Sequence, residues 1–383
     1  MIPYARQSIS EEDIEAVNRV LKSDFLTQGP VVPLFENAIK KYCKVDHAVV
    51  TSSATSALHI ACMALDVGPG DLVWTSPNSF VASANCALYC GAQIDFVDID
   101  SVTMNISIES LAAKLKLGKI PKVVIAVHFA GTSCDMRSIK RLSDQYGFKI
   151  IEDASHAIGG SYINNKIGSC EFSDVTVLSF HPVKIITTGE GGALLTNDEK
   201  IADRAVLLRS HGINRALTKS DSQNKPWFYE QIELGFNYRM TDIQAALGLS
   251  QLERINEFVD KRLMIASKYE FMLSPIGLKL PELSRNKGSA YHLYVIQIPD
   301  ISEVQKVLIF KGLNSLGISA NVHYIPIHLH PFYKALGFQI GDFPIAEKYY
   351  LEALSLPMYP GLADKDLEHI CFSLKTMLNQ KLN

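Results

Sequence analysis

The sequence predicts an α/β protein built on a mainly parallel sheet covered by helices, and three observations lead there. From residue 47 to about 200, short apolar runs alternate with helical segments, the pattern of strands joined by crossover helices. Runs such as Val123-Val-Ile-Ala-Val127 lack polar alternation, as suits strands buried on both faces. Small hydroxyl residues and glycines follow several of these runs, at the strand ends where such sheets gather ligands.

The elements follow in order. Ser10-Glu-Glu-Asp opens a first helix with a capping start, and Ile14, Val17, Val20 and Leu21 recur on one apolar face. A Gly- and Pro-rich loop, Leu26-Thr-Gln-Gly-Pro30, comes next. Strands are expected at His47–Thr51, Asp71–Thr75, Gln93–Val97, Lys122–Val127, Phe148–Glu152, Asp174–Ser179 and Gly192–Thr196. Near Thr241-Asp-Ile-Gln a long helix begins, with Ala246, Leu249, Leu252, Ile255 and Phe258 at helical spacing. Beyond it lie a strand candidate at His292–Ile298, a helix over 302–316 and a turn-rich stretch at 321–345. This divides the chain into a large domain over 1–250 and a smaller α/β domain over 251–383.

Composition removes several classes of function. With 37 basic and 40 acidic residues spread along 383, the chain has no basic stripe for a phosphate backbone, so nucleic acid is a poor partner. Seven cysteines, an odd number with no Cys-x-x-Cys, suit a reducing cytoplasm. Cys86 and Cys90 share a helix face but lack the histidines of a tetrahedral site, so core packing is expected and no metal. His323, His328 and His330 lie in an irregular Pro-rich stretch, which favours substrate contact or packing over a metal. The first residues lack a basic-then-apolar leader, and no apolar run approaches the ~20 residues of a membrane span, so a soluble, unsecreted protein is expected.

Four strand ends carry chemistry. Lys184, in Ser179-Phe-His-Pro-Val-Lys184 before Thr187-Thr-Gly-Glu-Gly-Gly192, reads as a Schiff-base lysine, since desolvation at a strand end lowers an amine's pKa. Ser52-Ser-Ala-Thr-Ser56 leads into a helix whose free amides and dipole favour a phosphate. Glu152-Asp-Ala-Ser-His156 follows another strand, and Phe80 follows Ser76-Pro-Asn-Ser79, placed to lie against a flat ring. Singly, Ser53 to Ser56 read as a helix cap, Phe80 as core and Asp153 as a cap or ion-pair partner. Together, a lysine, an acidic partner for a ring nitrogen, an aromatic plate and a phosphate cradle are what pyridoxal phosphate requires.

Ser53-Ala-Thr-Ser-Ala-Leu58, Glu152-Asp-Ala-Ser-His-Ala157 and Ser179-Phe-His-Pro-Val-Lys184 resemble the sugar aminotransferases of the DegT/DnrJ/EryC1/StrS family. Asp24-Phe-Leu-Thr-Gln-Gly-Pro30, Arg209-Ser-His-Gly212, Gly235-Phe-Asn-Tyr-Arg-Met-Thr-Asp-Ile-Gln244 and His323-Tyr-Ile-Pro326 extend the likeness over nearly the full chain. The resemblance implies fold type I, with pyridoxal 5'-phosphate joined to Lys184, Asp153 on the ring nitrogen and Phe80 stacked on the ring. It also implies that Ala54, Thr55, Ser56 and Ser179 hold the phosphate, that His181 belongs to the cofactor site, and that His156 orients Asp153 or packs near the ring. Asn237 would contact the phosphate in a neighbouring subunit, making a homodimer with shared sites. The donor would be L-glutamate and the acceptor a nucleotide-linked keto sugar. Within the family, the likeness is nearest to the pseudaminic acid branch, which aminates C4 of a UDP-linked 4-keto-6-deoxy-N-acetyl-hexosamine. Tyr4, Asp24, Phe25, Leu26, Thr27, His323, Tyr324, Ile325 and Pro326 would then touch substrate. Routes to legionaminic acid, perosamine or bacillosamine remain open, as does a non-enzymatic cofactor-binding regulator. Ile185-Ile186 makes the lysine loop more apolar than a polar variant would be, without removing a chemical group.

Overall fold

In the computed structural model, residues 1–214, 225, 227–281 and 288–379 are described. Seven strands form the central sheet: β1 (His47–Thr51), β2 (Leu72–Thr75), β3 (Gln93–Phe96), β4 (Val123–Val127), β5 (Lys149–Asp153), β6 (Val175–Ser179) and β7 (Gly192–Thr196). Their order is β1-β7-β6-β5-β4-β2-β3. Neighbours from β3 through β6 pair in parallel, whereas β7 runs antiparallel to both β6 and β1. In β4, alternation sends Val123 and Ile125 to one covered face and Val124 and Ala126 to the other, which explains its unbroken apolar run.

Ten of the helices matter for placing the site or closing the core: α1 (Glu11–Leu21), α2 (Val31–Cys43), α3 (Ala54–Ala64), α4 (Ala82–Tyr89), α5 (Ile108–Leu115), α6 (Met136–Tyr146), α7 (Glu199–Arg209), α8 (Asp242–Glu253), α9 (Ile255–Leu273) and α10 (Glu303–Ser315). Helices α3, α4 and α7 cover one face of the sheet; α5 and α6, with α2 and α8, cover the other. Past α9 a two-stranded antiparallel sheet, β8 (Tyr294–Gln297) with β9 (Ala353–Leu356), packs with α9, α10 and the closing helix Asp364–Asn379. The first residues are stitched to this C-terminal unit. Ile2 bridges Ile318, and Met358 N donates to Tyr4 O at 2.9 Å.

Two expectations are corrected. The apolar face foreseen for α1 is only partly the buried one: Val20 is buried, but Ile14 and Leu21 are 46% and 54% exposed, and Asp13 and Ala16 are buried instead. Asp13 turns inward because Ser250 (2.6 Å), Gln251 (2.6 Å) and Arg254 all donate to its carboxylate, and these bonds offset the desolvation of the charge. The long helix expected from Thr241 onward is two helices, broken at Arg254, whose amide turns back to Gln251 O at 3.1 Å.

Candidate active site

The C-terminal ends of β1, β5 and β6, the start of α3 and the segment 321–324 enclose a cavity of about 800 Å³. Its lining includes Tyr4, Ala54, Thr55, Phe80, Asp153, His156, Ser179, His181, Lys184, His323 and Tyr324, so most of the residues named from the sequence meet in one place.

At one wall Ser53 caps α3, accepting from Ser56 N at 3.1 Å while its hydroxyl lies 2.8 Å from Ser56 Oγ. The amides of Ala54 and Thr55, in the first helical turn, have no intrahelical acceptor, and the dipole adds partial positive charge there. Gly192 backs this wall: a Cβ on it would lie 2.4 Å from Ala54 N.

Asp153 forms the floor at the end of β5. Ser83 Oγ donates to Oδ2 at 2.6 Å, Ser79 Oγ lies 2.7 Å from Ser83 Oγ, and Ser155 N donates to Oδ1 at 3.1 Å. Beneath it Glu152, on the opposite side of the strand, accepts from His128 Nε2 (2.6 Å), Ser173 Oγ (2.5 Å) and Thr176 Oγ1 (3.2 Å). His128 Nδ1 receives Cys134 N at 3.2 Å, and His128 N donates to Asp153 O at 3.0 Å. These bonds lock the ends of β4, β5 and β6 together.

Lys184 stands in the loop after β6, anchored by the buried Ile185 and Ile186. The apolar pair in this loop is thus its root in the core. Burial lowers the Lys184 amine to about 8, against the upward pull of Asp153, and the amine has no hydrogen-bond or ion-pair partner among the described residues. Burial, then the Lys184 charge, also depresses the imidazoles of His156, His292 and His323, the last to about 4. Phe80 is 58% exposed and its ring centroid is 6.3 Å from that of Tyr324.

Other residues named from the sequence stand apart from this cavity. Ser56 points into the cap and is not part of the lining. Asn237 bridges Ser210 alongside the sheet edge. Asp24 and Phe25 line a separate groove of about 750 Å³ between α1, α2 and α8, and Leu26 is exposed. Thr27 bridges Thr241, and Asp242 binds the amides of Gly29, Val31 and Val32 at 2.7, 2.7 and 3.2 Å, fixing this loop. Ile325 is exposed and Pro326 is buried beside Ile327, whose amide donates to Pro77 O. Sequence reading missed Ser83, His292, Asn321 and Glu190, which also line the cavity. Ser83 and His292 gave no local signal, because the fold brings them in from a helix and from the edge of the second sheet.

Residues 7–375 match the DegT/DnrJ/EryC1/StrS aminotransferase family. The chain belongs to that family. Among relatives, it is 38% identical to the spore coat polysaccharide biosynthesis protein SpsC of Bacillus subtilis (98% of this chain, 97% of the other). It is 37% identical to the UDP-4-amino-4,6-dideoxy-N-acetyl-beta-L-altrosamine transaminase of Campylobacter jejuni (99% and 98%) and 36% identical to the GDP-perosamine synthase of Caulobacter vibrioides (91% and 91%). Among solved structures, Helicobacter pylori PseC, an aminotransferase involved in the biosynthesis of pseudoaminic acid, superposes with a TM-score of 0.92 at 34% identity, covering 99% of each chain. The sugar aminotransferase Spr1654 of Streptococcus pneumoniae, solved in PLP and PMP forms, matches with TM-scores of 0.91 and 0.92 at 28% identity over at least 99% of this chain.

This DegT-family chain is therefore a pyridoxal-phosphate-dependent sugar aminotransferase of fold type I. Its cavity fits the cofactor. Among the described residues it offers free amides at a helix start, a carboxylate held by two donors, a partnerless amine with a lowered pKa, and a buried His156 Nδ1 with no partner. No helix among the described residues is long and apolar enough to cross a membrane.

Proposed function

We propose that this enzyme transfers an amino group from L-glutamate to C4 of UDP-2-acetamido-2,6-dideoxy-β-L-arabino-hex-4-ulose in pseudaminic acid biosynthesis, in the cytoplasm. The observation that carries the reading is that Lys184 and Asp153 line one cavity of about 800 Å³, room for a cofactor and a sugar. The likeness to the Campylobacter altrosamine transaminase and to PseC supports the substrate.

In this reading Lys184 is the covalent anchor, Asp153 holds the pyridine nitrogen, Phe80 lies against the ring, and Ala54, Thr55 and Ser179 hold the phosphate, with Ser56 fixing the cap behind them. Bound pyridoxal phosphate supplies the electron sink that stabilises a carbanion at the donor carbon. Lys184 Nζ, its pKa lowered to about 8, takes the Cα proton of the donor and returns a proton to the acceptor. His181 at the rim, 4.0 Å from Glu190, orders the mouth. Tyr4, His323 and Tyr324 meet the sugar from the same chain. Asp24 to Thr27, Ile325 and Asn237 face outward and Pro326 is buried behind Ile325, which supports a homodimer in which the outward residues complete a neighbour's cavity.

The test is glutamate-dependent amination of the enzymatically generated UDP-4-keto-6-deoxy-L-arabino sugar beside its D-xylo epimer, with product structure by mass spectrometry and NMR. A C4-amino altro product is expected. The 36% identity to GDP-perosamine synthase favours a GDP-linked acceptor as the second reading. Turnover of a GDP-4-keto-6-deoxy sugar, with both UDP epimers inert, would replace the first reading with it.

A further inference from the structure

Tyr324 reaches the cavity from the C-terminal segment and is tied to the floor by one side-chain hydrogen bond, its hydroxyl 3.0 Å from His156 Nε2. The two rings are nearly parallel, at 22°, and Tyr324 is flanked by Phe80 and Phe129. Burial, then the Asp153 charge, raises the phenol above its ordinary value, so it keeps its hydrogen at neutral pH. That hydrogen needs an acceptor, and among the described residues His156 is the one hydrogen-bond partner of the hydroxyl.

His156 is itself neutral, because burial, then the charge of Lys184, disfavours its imidazolium. A neutral imidazole has one N–H and one lone pair. If Nε2 receives the phenol, the proton is on Nδ1. The opposite tautomer would have Nε2–H donating to the phenol oxygen, leaving the phenol hydrogen without an acceptor at the same point. Nδ1 is buried and, among the described residues, partnerless, on a residue lining the cavity three positions after Asp153.

We propose that Tyr324 is a positioning residue that fixes the proton of His156 on Nδ1, so that one defined N–H faces an acceptor atom of the bound cofactor. The C-terminal segment thereby sets the polarity of the floor made by β5 and its following loop, across more than 160 residues of chain. The inference rests on the cofactor lying over Asp153 and beside Lys184.

Side-chain ¹⁵N NMR of histidine-labelled apoenzyme reads the tautomer directly and needs no substitution. His156 is expected as Nδ1–H, and an Nε2–H signal overturns the proposal. Tyr324→Phe keeps the ring and removes the hydroxyl. It should shift His156 towards Nε2–H and weaken cofactor binding to the apoenzyme about tenfold, as loss of a well-made hydrogen bond does. His156→Gln supplies an amide with a fixed donor and no tautomer. Adding Tyr324→Phe to it should change cofactor affinity less than about twofold, because coupled residues are not additive. Equal weakening in both backgrounds would mean that Tyr324 acts by packing alone, and overturns the proposal. Failure of the underlying site reading looks different: Lys184→Ala would then leave cofactor colour unchanged.

Discussion

Lys184 allows a rate to be worked out from burial. Its pKa falls from 10.5 to about 8, so at pH 7 about one amine in ten is neutral, against about one in 3,000 for an ordinary lysine. Only the neutral amine attacks a carbonyl, so the gain in reactive form at pH 7 is about 300-fold. Apoenzyme mixed with pyridoxal phosphate, followed by absorbance between about pH 6 and 10, should capture it at a rate rising about tenfold per unit up to about pH 8 and then levelling. A rate that keeps climbing tenfold per unit beyond pH 9 would refute the desolvation argument.

The same shift has a thermodynamic sign. Between about 8 and 10.5 the unfolded chain holds the proton that the folded apoenzyme has lost, so stability rises with pH across that window. The shift of 10.5 minus about 8 corresponds to about 3 kcal/mol, reduced to about 2 because Lys184 keeps some contact with solvent. The penalty is present in full below pH 8, and Lys184→Met apoenzyme should lack the rise in urea unfolding.

Asp153→Asn should retain part of the cofactor and lose about 10²- to 10³-fold in kcat, the scale for removing a preorganised charge; near-normal turnover would place the ring-nitrogen partner elsewhere. Gly192→Ala puts a Cβ 2.4 Å from Ala54 N, so cofactor affinity should drop at least about tenfold and stability by about 1–3 kcal/mol, read by cofactor titration and thermal unfolding. Asp242→Ala strips the amides of Gly29, Val31 and Val32 of their acceptor and should raise the KM for the nucleotide sugar more than it lowers kcat; an unchanged KM would take the 24–30 loop out of substrate binding. Lys184→Ala and Asn237→Ala chains, each inactive alone, should recover about a quarter of normal activity when mixed as heterodimers with shared sites, and inactive mixtures count against sharing.

The inner strands were legible because they are buried on both faces, so local apolar runs carry the signal, whereas edge strand β3 alternates buried Ile94 and Phe96 with exposed Gln93 and half-buried Asp95. Lys184 and Asp153 were legible for a related reason: both stand just past such runs, where the sheet geometry leads. What local reading missed is held by partners far off in sequence. Asp13 reverses the face of α1 through residues 237 to 241 positions away, which no helical periodicity contains. Ser83 reaches Asp153 across 70 positions. The outward placement of Asp24 to Thr27 follows from Asp242, more than 200 residues later.

The cavity is closed by Tyr4 from the first residues and by the segment 321–324, and this bears on how a sugar would be chosen. Ile2 on Ile318 and Tyr4 O on Met358 N set the Tyr4 ring 5.6 Å from that of His323. His323 is fixed in turn by Ser355 Oγ, 2.8 Å from its Nδ1, and by Tyr349, whose hydroxyl donates to its carbonyl at 3.0 Å. Burial keeps that imidazole neutral down to about pH 4, so it meets a ligand by hydrogen bonding and not by charge. In the proposed reaction, a roof of held, uncharged hydrogen-bonding groups over a floor locked by Glu152 and His128 would select the acceptor by where its hydroxyls point. Sites of that kind reject a partner missing one hydrogen bond by about 10⁴- to 10⁵-fold, far more than an apolar pocket rejects a lost methylene. For the proposed reaction, an acceptor lacking its C3 hydroxyl should therefore lose most of its kcat/KM, and Ser355→Ala, which frees the His323 ring, should narrow that gap while the donor half-reaction keeps its rate.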